Sequence, residues 1–209
     1  MTVEGCLVYF GDENSSEFNM MKLQDLVVVK CLDRSNWHEY ADSQMMEFGN
    51  NFEWEDLVCH FNNEVEAYKK IWNYNKNLPF DQQIHVPKFF LSGETTSDDL
   101  KGVWFNDDEM RLVFGPFMVL EHLDASMRPP ETTHELLKVE QELIKLAAIG
   151  IIHMDIRKSN FLFDEKDDVV YVIDFEYVEF AGDGWAFSSD VVSEEMRERF
   201  PQLTSISEK

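Results

Sequence analysis

Asp155, Asn160 and Asp174 are the residues of this chain whose types and spacing point most directly to chemistry. Asp155 and Asn160 lie in Ile152-His153-Met154-Asp155-Ile156-Arg157-Lys158-Ser159-Asn160, and Asp174 in Val172-Ile173-Asp174-Phe175-Glu176. Each stands beside apolar residues able to hold its backbone in place. Between Asn160 and Asp174 come two short β-type runs, residues 161–163 and 169–173, separated by the acidic turn 164–168, which predicts a hairpin. Asp155 and Asn160 then lie on the loop that enters the hairpin and Asp174 at its exit. The two ends of a hairpin are neighbours, so the three side chains can converge. Such an oxygen set suits Mg²⁺, which takes a few carboxylate or amide oxygens and completes its shell with water and phosphate. A remaining carboxylate can orient or deprotonate a hydroxyl nucleophile. In isolation, Asp174 after an apolar strand is also a simple turn former.

The elements that must position these residues can be read from periodicity. Residues 6–10 form an apolar run ending at Gly11, and residues 26–32 are a β-branched run carrying Lys30; both predict strands. From Trp54 to Trp72 the apolar residues Leu57, Phe61, Val65, Tyr68 and Trp72 recur at helical steps. Residues 84–91 predict a short strand entered through Pro87. Residues 117–123 are almost wholly apolar, which predicts a strand covered on both faces. A second helix is expected over 133–149, with Leu136, Leu137, Glu140, Leu143, Ile144 and Ala147 in register, a threonine cap and Gly150 at its end. A third is expected over 190–200. The aromatic residues Phe61, Tyr68, Trp72, Phe89 and Phe90 read as core, and Cys31 and Cys59 as small buried hydrophobes. Strands, helix, strands, helix and hairpin make an α+β chain.

Composition narrows the classes. The 209 residues carry 18 basic and 41 acidic side chains, a formal charge of −23. Non-specific nucleic-acid binding needs lysine and arginine to neutralise phosphate, and an anionic membrane surface would repel this chain, so neither partner is expected. No run reaches the ~18 apolar residues of a spanning helix, and the first residues lack a signal peptide's basic start and apolar stretch. Three cysteines without metal-ligand spacing fit a reduced, intracellular, cytoplasmic protein.

The pattern His153-x-Asp155-x-x-x-x-Asn160 resembles the catalytic loop of the protein-kinase-like superfamily, and Asp174-Phe175-Glu176 stands where that superfamily has aspartate, phenylalanine and glycine. Upstream, in the same order, Lys30 resembles the strand lysine on the α- and β-phosphates of ATP, and Glu64 the helix glutamate that pairs with it. Residues 118–123, with Glu121 and Leu123, look like the hinge whose backbone binds adenine. The likeness covers residues 26–178 and leans to the choline-kinase and aminoglycoside-phosphotransferase branch. It also extends to short kinase-like proteins of fungi. Gly182-Asp183 and Ser189-Asp190 are a fainter echo of that branch.

By this resemblance Asp155 is the catalytic carboxylate, Asn160 and Asp174 hold Mg²⁺, and His153 braces the loop. Lys30, Glu64, Glu121 and Leu123 bind ATP. Alternatives stay open: Lys30 as a strand-end lysine reaching solvent, and Glu66 instead of Glu64 as its partner. The sequence departs from the superfamily in three places. Before Lys30 only Gly5 and Gly11 are present, with no glycine-rich loop; Glu176 replaces the glycine; and only 35 residues follow Asp174. The expected architecture is a kinase-like fold, with a small lobe of antiparallel strands and one helix over 1–123. A reduced, mainly helical lobe over 124–209 carries the loop and metal motif, and ATP and Mg²⁺ lie in the cleft. The expected activity is phosphoryl transfer to a hydroxyl of a protein or small molecule. The alternative is a non-catalytic, pseudokinase-like nucleotide-binding or regulatory module. The reduced lobe predicts an apolar face covered by a partner protein or by a second copy in a homodimer.

Overall fold

In the computed structural model, residues 2–3, 27–31, 54–95, 115–182 and 187–206 are described. The chain forms two compact units, Met1–Phe61 with Phe89–His122, and Asn62–Lys88 with Leu123–Lys209. Residues 62–88, which the sequence grouped with the first part, stand with the second. Their polar groups explain why: Lys145 reaches the carbonyl of Gln83, and Glu142 and Val172 bind the backbone of His85.

The first unit holds an antiparallel sheet. Strands β1 (Thr2–Val3), β2 (Val27–Cys31), β3 (Phe89–Thr95) and β4 (Gly115–Glu121) take the order β1-β2-β4-β3. Val29, Phe117 and Val119 pack together with Phe90 and Leu91 against them. Alternation along β2 turns Lys30 away from Val29, and Lys30 lies opposite Met118. Four consecutive buried residues in β4, Phe117 to Leu120, fit the expected strand with both faces covered. Gly93 faces Phe117, and a Cβ there would come within 2.8 Å of the Phe117 ring.

The strand expected at 84–91 begins only at Phe89. Pro87 has no N–H to pair, and the backbone before it is engaged elsewhere. The Asn75 side chain binds both N–H and C=O of Ile84, at 2.9 and 2.7 Å.

Helix α1 (Trp54–Asn75) buries Leu57, Phe61, Glu64, Val65, Ala67, Tyr68 and Ile71. Trp72, expected in that stripe, is exposed, as is Cys59. At 3.6 residues per turn the stripe passes from Tyr68 to Ile71 rather than to Trp72, and Cys59 falls on the outer side. Phe89 and Phe90 are half-buried.

In the second unit, helix α2 (Thr133–Ala148) opens with a capping box between Thr132 and Glu135. Its inner face is Leu136, Val139, Leu143, Leu146 and Ala147, whereas Leu137 faces outward. Gly150, at φ 74°, lets the chain turn into β5 (Ile151–His153). The expected hairpin is present as β6 (Phe161–Asp164) and β7 (Val169–Val172), with Asp168 left-handed in its turn. A second antiparallel pair, β5 with β8 (Val178–Phe180), was not anticipated, because three-residue strands show no period. Helix α3 (Ser189–Arg199) starts at Ser188, whose hydroxyl accepts from the Asp190 N–H. Among the described residues no helix is long and apolar enough to cross a membrane.

Candidate active site

Strand pairing sets the entry to the candidate loop. His153 ends β5 opposite Val178, and the next N–H, of Met154, donates to the Tyr177 carbonyl at 2.9 Å. The chain then leaves the sheet, turns through a 3₁₀ segment, Lys158–Asn160, and enters β6.

His153 joins the two ends of this arrangement. Its Nδ1 accepts from the Asp155 N–H at 3.3 Å, so the proton sits on Nε2, which donates to the Ile173 carbonyl at 3.3 Å. Burial lowers the imidazole pKa, against opposing effects from the Ile173 carbonyl and the Asp155 and Asp174 carboxylates. The ring is therefore neutral at pH 7. It packs with Phe161 and Phe175 at centroid distances of 6.0 and 5.4 Å.

Asn160, buried, fixes Asp155. Its Nδ2 donates to both the Asp155 carbonyl and Oδ2, each at 2.9 Å. Arg157 adds its guanidinium to the same Oδ2 at 2.8 Å. Both side-chain donors thus fall on Oδ2, which leaves Oδ1 as the oxygen to accept from a hydroxyl. At the other end of the Asn160 amide, Oδ1 has only long contacts, 3.4 Å from Arg157 Nε and Ser159 Oγ.

Asp174 lies where β7 releases the chain. The Ile173 N–H donates to the Asn160 carbonyl at 3.0 Å, and Asp174 then takes φ 63°. Phe175, fully buried, meets Tyr68 edge-on at 5.1 Å. The superfamily's glycine site, occupied here by Glu176, needs no left-handed backbone: the turn falls on Asp174 itself.

Tyr68 is completely buried, and its phenol receives the Asp174 N–H. Burial first, then the charges of Glu64 and Asp174, push its pKa up, while that N–H works against them. Glu64, one helical turn before Tyr68, is buried, whereas Glu66 is exposed. The Tyr177 phenol is also pushed up, by partial burial and then by Glu176, Asp155 and Asp174, with Arg157 opposing. The charges of both Asp155 and Asp174 act on His153 and on Tyr177.

Of the other expected site residues, Lys30 lies on β2 and Glu121 ends β4 in the first unit, while Glu64 and Leu123 belong to the second. Gly5 and Gly11 fall outside the described residues, as do residues 6–10 and Asp183. Ser189 and Asp190 form the first turn of α3, just after the cap at Ser188, where an acidic side chain such as Asp190 suits the positive end of the helix dipole. Sequence reasoning missed Tyr68, Arg157 and Tyr177 as parts of the site. For Tyr68 a signal existed: a hydroxyl-bearing aromatic on a buried stripe, four residues after Glu64.

Asn160 Oδ1 and the Asp174 carboxylate are hard oxygen donors and fit Mg²⁺, which keeps several waters and needs few protein ligands. Among the described residues no group of three or more His, Cys, Asp or Glu forms an all-protein metal cage. The profile of the phosphotransferase enzyme family, APH, matches residues 83–187, half of the chain, which includes Asp155, Asn160 and Asp174 but not Lys30 or Glu64. No curated protein matches the chain. With that match over the loop and hairpin just described, the chain belongs to the phosphotransferase enzyme family, within the protein-kinase-like superfamily.

Proposed function

We propose that this chain is an ATP- and Mg²⁺-dependent phosphotransferase that moves the γ-phosphoryl group to a hydroxyl. The observation that carries this reading is the anchoring of Asp155 by Asn160 and of both, through His153 and Ile173, to the turn at Asp174. Asp155 Oδ1 accepts the acceptor's proton or holds its hydroxyl in line. Asn160 Oδ1 and Asp174 hold Mg²⁺, which would offset the charge of the triphosphate. Neutral His153 moves no proton; it keeps the two strand ends in register. Lys30, Glu64, Glu121 and Leu123 complete the nucleotide-binding set by the resemblance alone. Positioning and electrostatics would supply most of the rate, since little covalent chemistry falls to the protein in phosphoryl transfer.

The test is thermal unfolding with ATP and Mg²⁺, for wild type and Asp174→Ala, followed by phosphoryl transfer assays. Ligand at 100 times its Kd adds about 2.7 kcal/mol, roughly 5–11 °C for a chain of this size. A Mg²⁺-dependent rise that is lost in the variant, followed by turnover, supports the enzyme. The same rise with no hydrolysis or transfer supports the non-catalytic nucleotide-binding module. No rise at millimolar ATP overturns both.

A further inference from the structure

We infer that His85 and Glu142 are a positioning pair for Asp174, acting through the backbone of Val172. This rests on the reading of Asp174 as a metal ligand. His85 is buried in the segment between α1 and β3. Glu142, from the buried face of α2, takes both of its donors: the His85 N–H on Oε2 and the ring Nδ1 on Oε1, each at 3.0 Å. Lys145 adds Nζ to the same Oε1 at 2.8 Å and reaches the Gln83 carbonyl at 2.8 Å. With its own backbone fixed, His85 offers its carbonyl to the Val172 N–H at 2.9 Å.

Val172 is the last residue of β7. It faces Phe161 across the hairpin, so its N–H points to the outer edge of the strand. One residue later the Ile173 N–H is taken by the Asn160 carbonyl. The strand end is therefore gripped on both sides immediately before the left-handed turn at Asp174. Loosening the His85 side lets the turn drift away from Asn160.

The ring itself shows that packing is not its purpose. Phe80 and Tyr171 flank it edge-on at 4.7 and 5.9 Å, an environment that would suit a phenyl ring. Yet Nε2 is buried with no hydrogen-bond partner among the described residues, an unfavourable arrangement that a phenylalanine would avoid. The imidazole is kept for the Nδ1–H that Glu142 requires.

Full-length wild type, His85→Phe and His85→Asn separate the roles. His85→Phe keeps the ring and loses the donor; His85→Asn loses the ring and keeps a donor near the Nδ1 position. The readouts are melting temperature without ligand and the Mg²⁺ concentration that gives half-maximal ATP binding. The expected result is about a tenfold higher Mg²⁺ requirement in His85→Phe, the size typical of removing a partner behind a metal ligand. His85→Asn should stay within about threefold of wild type on the same scale, although it melts lower. A purely structural role would move both readouts together. Should His85→Phe not fold, Glu142→Gln, of the same shape, gives the same comparison. Wild-type Mg²⁺ dependence in His85→Phe, with wild type binding ATP normally, overturns this inference alone. Wild type that binds no ATP with Mg²⁺ overturns the phosphotransferase reading and the inference with it.

Discussion

The amide of Asn160 donates to the carbonyl and to the carboxylate of Asp155, each at 2.9 Å, so one side chain fixes both the backbone and the reactive group of the loop. Asn160 is buried and its N–H is bound to the Arg157 carbonyl at 3.0 Å, which leaves the amide little freedom to turn away. Asn160→Ala should lose phosphoryl transfer and also stability, because it strips the donor from two acceptors of Asp155. A cost of about 1–3 kcal/mol is expected, read by urea unfolding without ligand. Stability equal to wild type would show that these bonds do not hold the loop.

Asp155→Asn tests the carboxylate separately. Asn at this position can still accept at its side-chain oxygen, so loop geometry and Mg²⁺-dependent ATP binding should survive. Phosphoryl transfer should fall by about 10²–10⁴, the usual contribution of a positioned base. Thermal shift and a transfer or hydrolysis assay on the same preparation check it. Loss of binding together with transfer would instead make Asp155 a part of the nucleotide site.

Tyr68 should carry an alkaline limb of stability. Its folded pKa is raised well above 10.0, by burial first and then by Glu64 and Asp174. A group whose folded pKa is raised contributes in full below its unfolded pKa. That contribution is lost as pH rises above about 10, where the unfolded phenol ionises and the folded one does not. Tyr68→Phe keeps the edge contact with Phe175 but leaves the Asp174 N–H without this acceptor. It should cost about 1 kcal/mol near neutrality and flatten the loss above pH 10. Chemical denaturation at several pH values reads both effects, and an unchanged alkaline limb would remove Tyr68 from the account.

What the sequence made legible was local. Thr132 and Glu135 announce the start of α2 three residues apart, and the β-branched residues 169–172 with an acidic turn announce the hairpin. That hairpin is why Ile173, at its exit, bonds back to Asn160 at its entry. What stayed hidden depends on partners far apart in the chain. The Glu142 that holds His85 lies 57 residues away, and His153 reaches Ile173 across 20. Neither bond leaves a trace in periodicity. The strands β5 and β8 are too short to alternate, and the choice between Leu136 and Leu137, or Ile71 and Trp72, turns on a rotation that spacing does not resolve. The branch assignment was legible because the loop's chemistry constrains residue types at fixed intervals, and the family match falls on that stretch.

Glu135 should contribute to the acid limb of stability. This buried carboxylate accepts two guanidinium bonds from Arg128, both at 3.0 Å, and the N–H groups of Glu131 and Thr132. Arg128 first, with those N–H groups adding to it, lowers its pKa from 4.5 to about 2, against the opposing effect of burial. A depressed folded pKa contributes stability above the unfolded value and loses it as pH falls through the folded one. The loss should therefore begin below about pH 4.5 and finish near pH 2. Its size is about 2 kcal/mol once the water around the part-exposed Arg128 is allowed for. Glu135→Gln isolates the charge, since glutamine still completes the capping box at Thr132. Urea unfolding should show the variant less stable than wild type at pH 7, with the gap closing as the pH approaches 2. A gap that stays constant over that range would mean that the Arg128 pair contributes nothing beyond the neutral hydrogen bonds.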